Sequence, residues 1–172
     1  INSPATPLLD IAIGRIPAAT LAEARNYVDK VFRYKSKASL GSWRNELTFV
    51  ADDEDDNLHL RDADEIAQSL TQQAPLYTLQ KIYLDAFPQE SGAAGSRYPE
   101  ANLQSVNKLN NGTLIWNYSG HGGDARLAQE SILEKEMVDG WMNEKKLPMF
   151  ITASCDFAPF DNPVLNSLGE NI

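Results

Sequence analysis

Short apolar runs alternate along the chain with segments that carry apolar residues at helical spacing. The predicted strands are a short one before Gly14, then 47–51, 77–85, 113–118 and 147–155. The predicted helices are one that starts after Thr20 and ends near Ser36, then 62–73, 101–111 and 132–146. This alternation predicts an α/β fold with a mostly parallel sheet that helices cover on both faces.

The predicted helices also indicate which side chains face inward. In the first helix, the apolar positions share one face: Leu21, Ala24, Val28, Val31 and Phe32. In the helix predicted over 62–73, Ile66 and Leu70 are expected to face the core. Trp116, Trp141 and Phe150 are expected to pack in the core and against the connection between the last two strands, rather than to bind substrate.

Length and charge limit the classes of function. The 172 residues, 42% of them hydrophobic, suffice for one core, and a net charge of −9 opposes binding to nucleic acid. No apolar run approaches the roughly 20 residues of a membrane-spanning helix, and the first residues are not a signal peptide. Because the chain lacks an initiator Met and stops shortly after a promising motif, we interpret it as a piece of a longer protein.

Three polar clusters follow predicted strands, at 52–54, 120–122 and 154–156. In open α/β sheets, reactive groups gather at the carboxyl ends of strands. If the strands before His121 and Cys155 are neighbours, the imidazole and the thiol emerge at one edge, where His121 can take the proton of a nucleophilic Cys155. The amide of Gly122 then faces the developing oxyanion.

Simpler interpretations exist for the same residues. A single cysteine excludes an internal disulfide and a cysteine-based zinc site, but it is also compatible with a packed, inert thiol. His121 is compatible with an ordinary loop histidine. The acidic run 52–57 is usually a solvated charged loop; the alternative is a structural Ca²⁺ bound by oxygen ligands, although EF-hand spacing is absent. The oxygen ligands it offers are Asp52, Asp53, Asp55, Asp56 and Asn57.

Two motifs together are more specific. The sequence NYSGHGG, followed 34 positions after its histidine by the cysteine of ITASCDF, resembles the active-site pair of the gingipains, caspase-like cysteine peptidases. The segment 10–34 resembles the part of gingipains that leads into their caspase-like subdomain. The resemblance covers 10–163 and implies a three-layer caspase-like α/β fold, truncated at its C-terminus. It implies a leading strand and linker over 1–19, from a preceding subdomain, and a catalytic subdomain over 20–172.

The resemblance also implies roles for individual residues. His121 and Cys155 match the catalytic pair, and the family's catalytic carboxylate falls at Asp53 or at its neighbours Asp52 and Glu54. The pocket residue that is acidic in arginine-specific gingipains falls near His59. With His59 in the substrate pocket, a strong preference for arginine is not expected.

Within the family, the acidic segment is most similar to the surface peptidase of the bacterial type IX secretion system. This implies a sortase-like transpeptidase at the extracellular face of the outer membrane. The enzyme would cleave C-terminal sorting domains from secreted cargo through a thioester and pass the acyl group to an amine-bearing lipopolysaccharide. It would also contact other surface proteins of the secretion system. The resemblance implies no required cofactor. The alternatives are a non-catalytic interaction module of a secretion complex and a nucleotide-binding domain, which would need a glycine-rich phosphate loop that the sequence lacks.

Overall fold

The computed structural model describes residues 12–93, 95–162 and 164–172. Its helices are α1 (Leu21–Lys35), α2 (Leu58–Gln73), α3 (Pro99–Asn111), α4 (Lys135–Val138) and α5 (Leu168–Asn171). Its strands are β1 (Glu46–Ala51), β2 (Thr78–Tyr83), β3 (Glu90–Gly92), β4 (Gly95–Arg97), β5 (Ile115–Ser119), β6 (Arg126–Leu127), β7 (Leu133–Glu134) and β8 (Met149–Ala153). The strand predicted before Gly14 lies mostly outside the described residues. Among the described helices, none has the length and apolar character needed to cross a membrane.

The central sheet has four parallel strands in the order β2-β1-β5-β8. The chain runs from β1 outward to β2, then returns to the other side of β1 to form β5, and finally reaches β8 at the opposite edge. The strand order therefore reverses between β1 and β5. In open α/β sheets, the carboxyl ends of strands at such a reversal border a crevice where ligands bind.

Two apolar cores cover the two faces of the sheet. On one face, Trp116 and Tyr118 of β5 pack in a large buried cluster that includes Leu109 of α3. On the other face, Leu47 and Phe49 of β1 pack against α2. Helix, sheet and helix thus form three layers, which confirms the α/β class. Phe150 and Trp141 stack with 5.9 Å between ring centroids and pack against the first cluster, so their expected structural role is confirmed.

The connection between β5 and β8 differs from its prediction. Instead of a helix over 132–146, the chain forms β7, which pairs with β6, and then the single turn of α4. Ile132 and Leu133 are adjacent in sequence and both are buried, and a short apolar run of this kind forms a buried extended segment as readily as a helix. Gly140 ends the turn by donating its amide to the Met137 carbonyl oxygen at 3.2 Å.

Helix α2 forms, but the prediction that Ile66 faces inward is wrong: Ile66 is 49% exposed. Ala63 and Ala67 are fully buried, and Leu70 packs partly against the second core. These three positions follow the i, i+4, i+7 spacing of one helix face. The two alanines lack bulk beyond Cβ, so α2 can approach the sheet closely, and Ile66 lies beside the contact face rather than on it.

Helix α1 begins where the sequence predicts. The Thr20 hydroxyl accepts a hydrogen bond from the Glu23 amide at 3.2 Å, and the Glu23 carboxylate in turn accepts from the Thr20 amide. This reciprocal cap fixes the first turn. No residue of α1 is buried, so its apolar face covers neither core.

Candidate active site

Asp52 is the buried centre of the crevice between β1 and β5. It directly follows β1 and is fully buried, and its Oδ2 accepts the His121 amide at 3.0 Å. The Tyr118 hydroxyl lies 3.2 Å from the same oxygen, and Oδ1 accepts the Asp53 amide at 3.0 Å. Burial raises the pKa of Asp52, and these hydrogen bonds oppose the rise. Asp52 thus holds the backbone of His121 in place. Among the described residues, the Asp52 carboxylate makes no hydrogen bond with the imidazole ring of His121.

The carboxylate that contacts the imidazole is that of Asp55. Its Oδ2 lies 2.9 Å from Nε2 of His121, and both side chains are about half exposed. Asp55 belongs to the turn between β1 and α2, in which Asp55, Asp56 and Asn57 all have positive φ values of 52° to 62°. Three successive non-glycine residues in this conformation are unusual, and the resulting tight turn brings Asp55 back toward the end of β5.

His59 lies in the same group. It is on the first turn of α2, and its Nε2 lies 3.3 Å from Oδ2 of Asp55, without hydrogen-bond geometry. Its ring meets that of His121 edge to face, with centroids 5.3 Å apart. The described residues give the buried Nε2 atom of His59 no hydrogen-bond partner.

Cys155 follows β8, the strand beside β5. Ser119 is paired with Ala153, and the Gly120 amide donates to the Ala153 carbonyl oxygen at 3.2 Å. Both strands therefore end at the same edge of the sheet, with His121 two residues after the end of β5 and Cys155 two residues after the end of β8. Cys155 is exposed, so its thiol is accessible to a substrate. In the described residues, no hydrogen bond joins the thiol to the imidazole.

The two glycines that flank His121 lie in tight surroundings. A Cβ on Gly120 would overlap the Asp52 and Tyr118 side chains, so no larger residue fits there. A Cβ on Gly122 would lie 3.0 Å from Ser154 Cβ, which places Gly122 beside the residue that precedes Cys155. The hydrogen bonds of its bridge to Leu127 come from the Gly123 and Ala128 amides and do not use the Gly122 amide.

A cavity of about 590 Å³ adjoins His121. Its wall is formed by the segment after β5 and by residues near β7, and three carboxylates line it, those of Asp124, Glu134 and Glu136, together with Arg126. His59 is not part of this wall. The assignment of His59 to the substrate pocket stays a prediction, and the structure places its ring against His121 instead.

Asp53, the predicted third catalytic residue, contacts Tyr98, and its catalytic role stays a prediction. Its Oδ2 accepts the Tyr98 hydroxyl at 2.6 Å, and its Oδ1 is buried without a partner among the described residues. Carboxylate oxygens of Asp52, Asp53 and Glu130 lie within 4.8 Å of one another. Glu130 as a whole residue is 7% exposed, and burial, with the charges of Asp53 and Asp52, raises the pKa of its carboxyl group.

Sequence reasoning missed two members of this neighbourhood. Asp55 stood out only as one of several acidic loop residues, because its approach to His121 depends on the left-handed turn before α2. Glu130 carried no signal, because it lies in the segment that the sequence predicted only as a connection to the next helix. The structural Ca²⁺ expected for the acidic run stays a prediction.

Comparison with known proteins gives matches over nearly the whole chain. The model of peptidase family C25 matches residues 3–172. No curated protein matches. Two solved structures share the fold: the arginine-specific cysteine proteinase gingipain R (RgpB), with 18% identity and a TM-score of 0.69, and the complex of the Porphyromonas gingivalis RgpB pro- and mature domains, with 20% identity and a TM-score of 0.69.

The two alignments cover 90% and 94% of this chain, but only 34% and 36% of the respective gingipain chains. The chain therefore spans about a third of these structures. At this identity the likeness establishes the fold, and the family match establishes the kind of protein. The chain belongs to peptidase family C25, the gingipain family of cysteine peptidases.

Proposed function

We propose that Cys155 is the nucleophile, that His121 is its general base, and that Asp55 orients His121. The observation that carries this proposal is the contact of 2.9 Å between Asp55 and Nε2 of His121, which follows β5, the strand paired with the one that precedes Cys155. Nucleophile, base and orienting carboxylate are the three parts of an activated nucleophile. The catalytic assignment thus moves from Asp53, which contacts Tyr98, to Asp55.

The contact with Asp55 decides which nitrogen of His121 can act as a base. An ionised carboxylate only accepts hydrogen bonds, so Nε2 must carry the proton that it donates to Asp55. The lone pair is then on Nδ1, which is available for the thiol proton of Cys155. When Nδ1 takes that proton, Asp55 stabilises the resulting imidazolium.

The remaining steps follow the chemistry of thiol peptidases. The thiolate of Cys155 attacks the scissile carbonyl carbon, and the Gly122 amide donates to the oxyanion. His121 then gives its proton to the departing amine, which leaves the acyl group on Cys155 as a thioester. Water completes hydrolysis; an amine acceptor completes transpeptidation.

For the biological role, we propose a sortase-like activity similar to that of PorU, the surface peptidase of the type IX secretion system. The acidic segment after β1 supports this likeness, and family membership supports protein substrates. In this role the enzyme acts at the extracellular face of the bacterial outer membrane. It removes C-terminal sorting domains from cargo and transfers the acyl group to an amine on lipopolysaccharide, among other surface proteins of the secretion system.

The test compares the wild-type catalytic chain with Cys155→Ala. Cargo cleavage should disappear in the variant, because the covalent route is lost. The free energy of unfolding should change by no more than about 1 kcal/mol, since the side chain is exposed. Mass spectrometry of the wild type should show cargo attached to Cys155, and an added amine should divert the product from acid to amide.

Each result has a distinct consequence. Cleavage that survives in Cys155→Ala would exclude this thiol as the nucleophile. Cleavage that needs Cys155 but never yields an amide would leave a peptidase and exclude the sortase-like role. A wild-type chain that binds cargo without cleaving it or forming an adduct would favour the non-catalytic interaction module.

A further inference from the structure

Asp55, His59 and His121 form a group whose geometry suits a metal ion. Each residue offers one ligand atom, and the three atoms lie within 4.8 Å of one another. Oδ2 of Asp55 is 2.9 Å from Nε2 of His121 and 3.3 Å from Nε2 of His59. Two imidazole nitrogens and one carboxylate oxygen are a ligand set that zinc sites use.

These separations resemble the edges of a coordination tetrahedron. With metal–ligand bonds of about 2.0–2.1 Å, neighbouring ligand atoms of a tetrahedral Zn²⁺ site are about 3.3 Å apart. Both distances from Asp55 are close to that value. The separation between the two histidine nitrogens is the remaining edge, and the half-exposed His121 side chain has room to adjust it.

The state of His59 is a second observation that points to a ligand. Its Nε2 is buried and, within the described residues, has no hydrogen-bond partner. A buried polar atom without a partner is costly, and a bound cation would remove that cost. Its ring cannot move far, because α2 fixes its backbone and its side chain is only 16% exposed.

We infer that Asp55, His59 and His121 bind a zinc-class divalent cation, and that this ion switches the active site off. Three protein ligands leave the fourth position to water, as in exchangeable zinc sites. Cys155 is not part of this group, so the ion does not need the thiol. The backbone turn at 55–57 and the Asp52 contact to the His121 amide hold the ligands in position.

Inhibition follows from the nitrogen that the ion occupies. Coordination takes the lone pair of Nε2 on His121, and neutral imidazole then keeps its only proton on Nδ1. That nitrogen can no longer accept the proton of Cys155. This consequence rests on the proposed peptidase function; the binding site itself does not.

The test measures metal binding without turnover. The chain is titrated with Co²⁺, whose visible absorption bands report tetrahedral coordination, and Zn²⁺ is then added to displace it. We expect one site, with affinity lowered at least about tenfold in His59→Gln. Asp56→Asn, which removes the neighbouring carboxylate outside the group, should bind as the wild type does. Cys155→Ala should also keep the site.

Circular dichroism checks that each variant is folded, and Asp55→Asn is the second ligand variant should His59→Gln fail to fold. Equal Zn²⁺ affinity in the wild type and in the folded ligand variants would overturn the site. Binding lost in Cys155→Ala would assign the ion to the thiol instead. In the active enzyme, Zn²⁺ should inhibit cleavage and a chelator should restore it; binding without inhibition would refute the switch and leave the peptidase function standing.

Discussion

At the end of β5, one carboxylate decides which nitrogen of His121 carries a proton. Three aspartates follow β1 within four positions, and each has a different partner: Asp52 holds the His121 amide, Asp53 accepts from Tyr98, and Asp55 contacts the imidazole. Their order in sequence does not reveal this division. It results from the left-handed turn that carries Asp55 back over the site.

The paired variants Asp55→Asn and Asp53→Asn test which carboxylate orients His121: Asp55, as the geometry indicates, or Asp53, as the sequence predicted. Asp55→Asn should lower kcat by roughly 10²-fold or more, because the neutral amide no longer fixes the tautomer or stabilises the imidazolium. KM should change little, and Asp55→Glu should restore part of the activity. Steady-state kinetics over a pH series measures both effects. A larger loss of kcat in Asp53→Asn than in Asp55→Asn would return the role to Asp53.

Cys155 and His121, the proposed nucleophile and base, were the residues most accessible to sequence reasoning, because a lone cysteine and a glycine-flanked histidine each follow an apolar strand. That both residues follow neighbouring strands at one edge of the sheet depends on the strand order, which the structure supplies. The contact of Asp55, the proposed orienting carboxylate, with His121 depends on the backbone conformation within one loop. Hydrophobic periodicity carries no information about that conformation.

At the scale of the elements, carboxyl groups from the loop after β5 and from the end of β1 lie close together. Glu130 approaches Asp52 and Asp53, and its Oε2 has no hydrogen-bond partner among the described residues. The segment that carries Glu130 also supplies the Ala128 amide, which donates to the His121 carbonyl oxygen at 2.9 Å. Carboxyl groups gathered in this way repel one another once ionised, so the same loop that positions His121 also carries an electrostatic cost.

Glu130→Gln should stabilise the protein at neutral pH. The raised pKa means that folded Glu130 keeps its proton at pH values where the unfolded chain has lost it. The folded state then binds more protons, and the free energy of unfolding falls as pH rises through the window above about 4.3, the ordinary value for glutamate. Removing this group should reduce the slope and add about 1 kcal/mol at pH 7, also because the glutamine amide can donate to a neighbouring carboxylate.

Urea unfolding at a series of pH values, with Glu65→Gln as the control, measures this effect. Glu65 is an exposed glutamate on α2, so its replacement should leave both the slope and the stability unchanged. Burial also raises the pKa values of Asp52 and Asp85, so the free energy of unfolding should still depend on pH to some extent in both variants. A less stable Glu130→Gln at pH 7 would mean that the carboxylate makes a favourable contact there.

The elements that the sequence predicted well are those with a clear helix cap or a clear pattern of apolar residues. The Thr20 cap gave the start of α1, and the apolar runs gave β1, β5 and β8. The connection between β5 and β8 was mispredicted because Ile132 and Leu133 join the first core from an extended segment, in which β7 pairs with β6, rather than from one face of a helix. Tertiary packing overrides local pattern in such segments.

On the scale of the whole molecule, acidic residues outnumber basic ones 24 to 15, and the cavity beside His121 repeats that imbalance. Among the described residues, Asp124, Glu134 and Glu136 line it together with Arg126, and Arg97 lies 3.4 Å from Glu134 and offsets part of its charge. A cleft in which one sign of charge predominates raises the rate at which oppositely charged ligands arrive. We therefore expect cationic peptides to reach the cavity faster than neutral ones, whichever residue precedes the scissile bond.

Salt should consequently slow the cleavage of cationic peptides more than that of neutral ones. Raising the ionic strength from about 0.01 M to about 0.1 M shortens the screening length from about 30 Å to about 10 Å, so attraction beyond the cavity is mostly lost. For a peptide with lysines flanking the scissile bond, kcat/KM should fall several-fold, chiefly through slower association. The same peptide with glutamines in place of the lysines should show little change. Equal salt dependence for the two peptides would mean that the acidic cavity does not lie on the substrate's path.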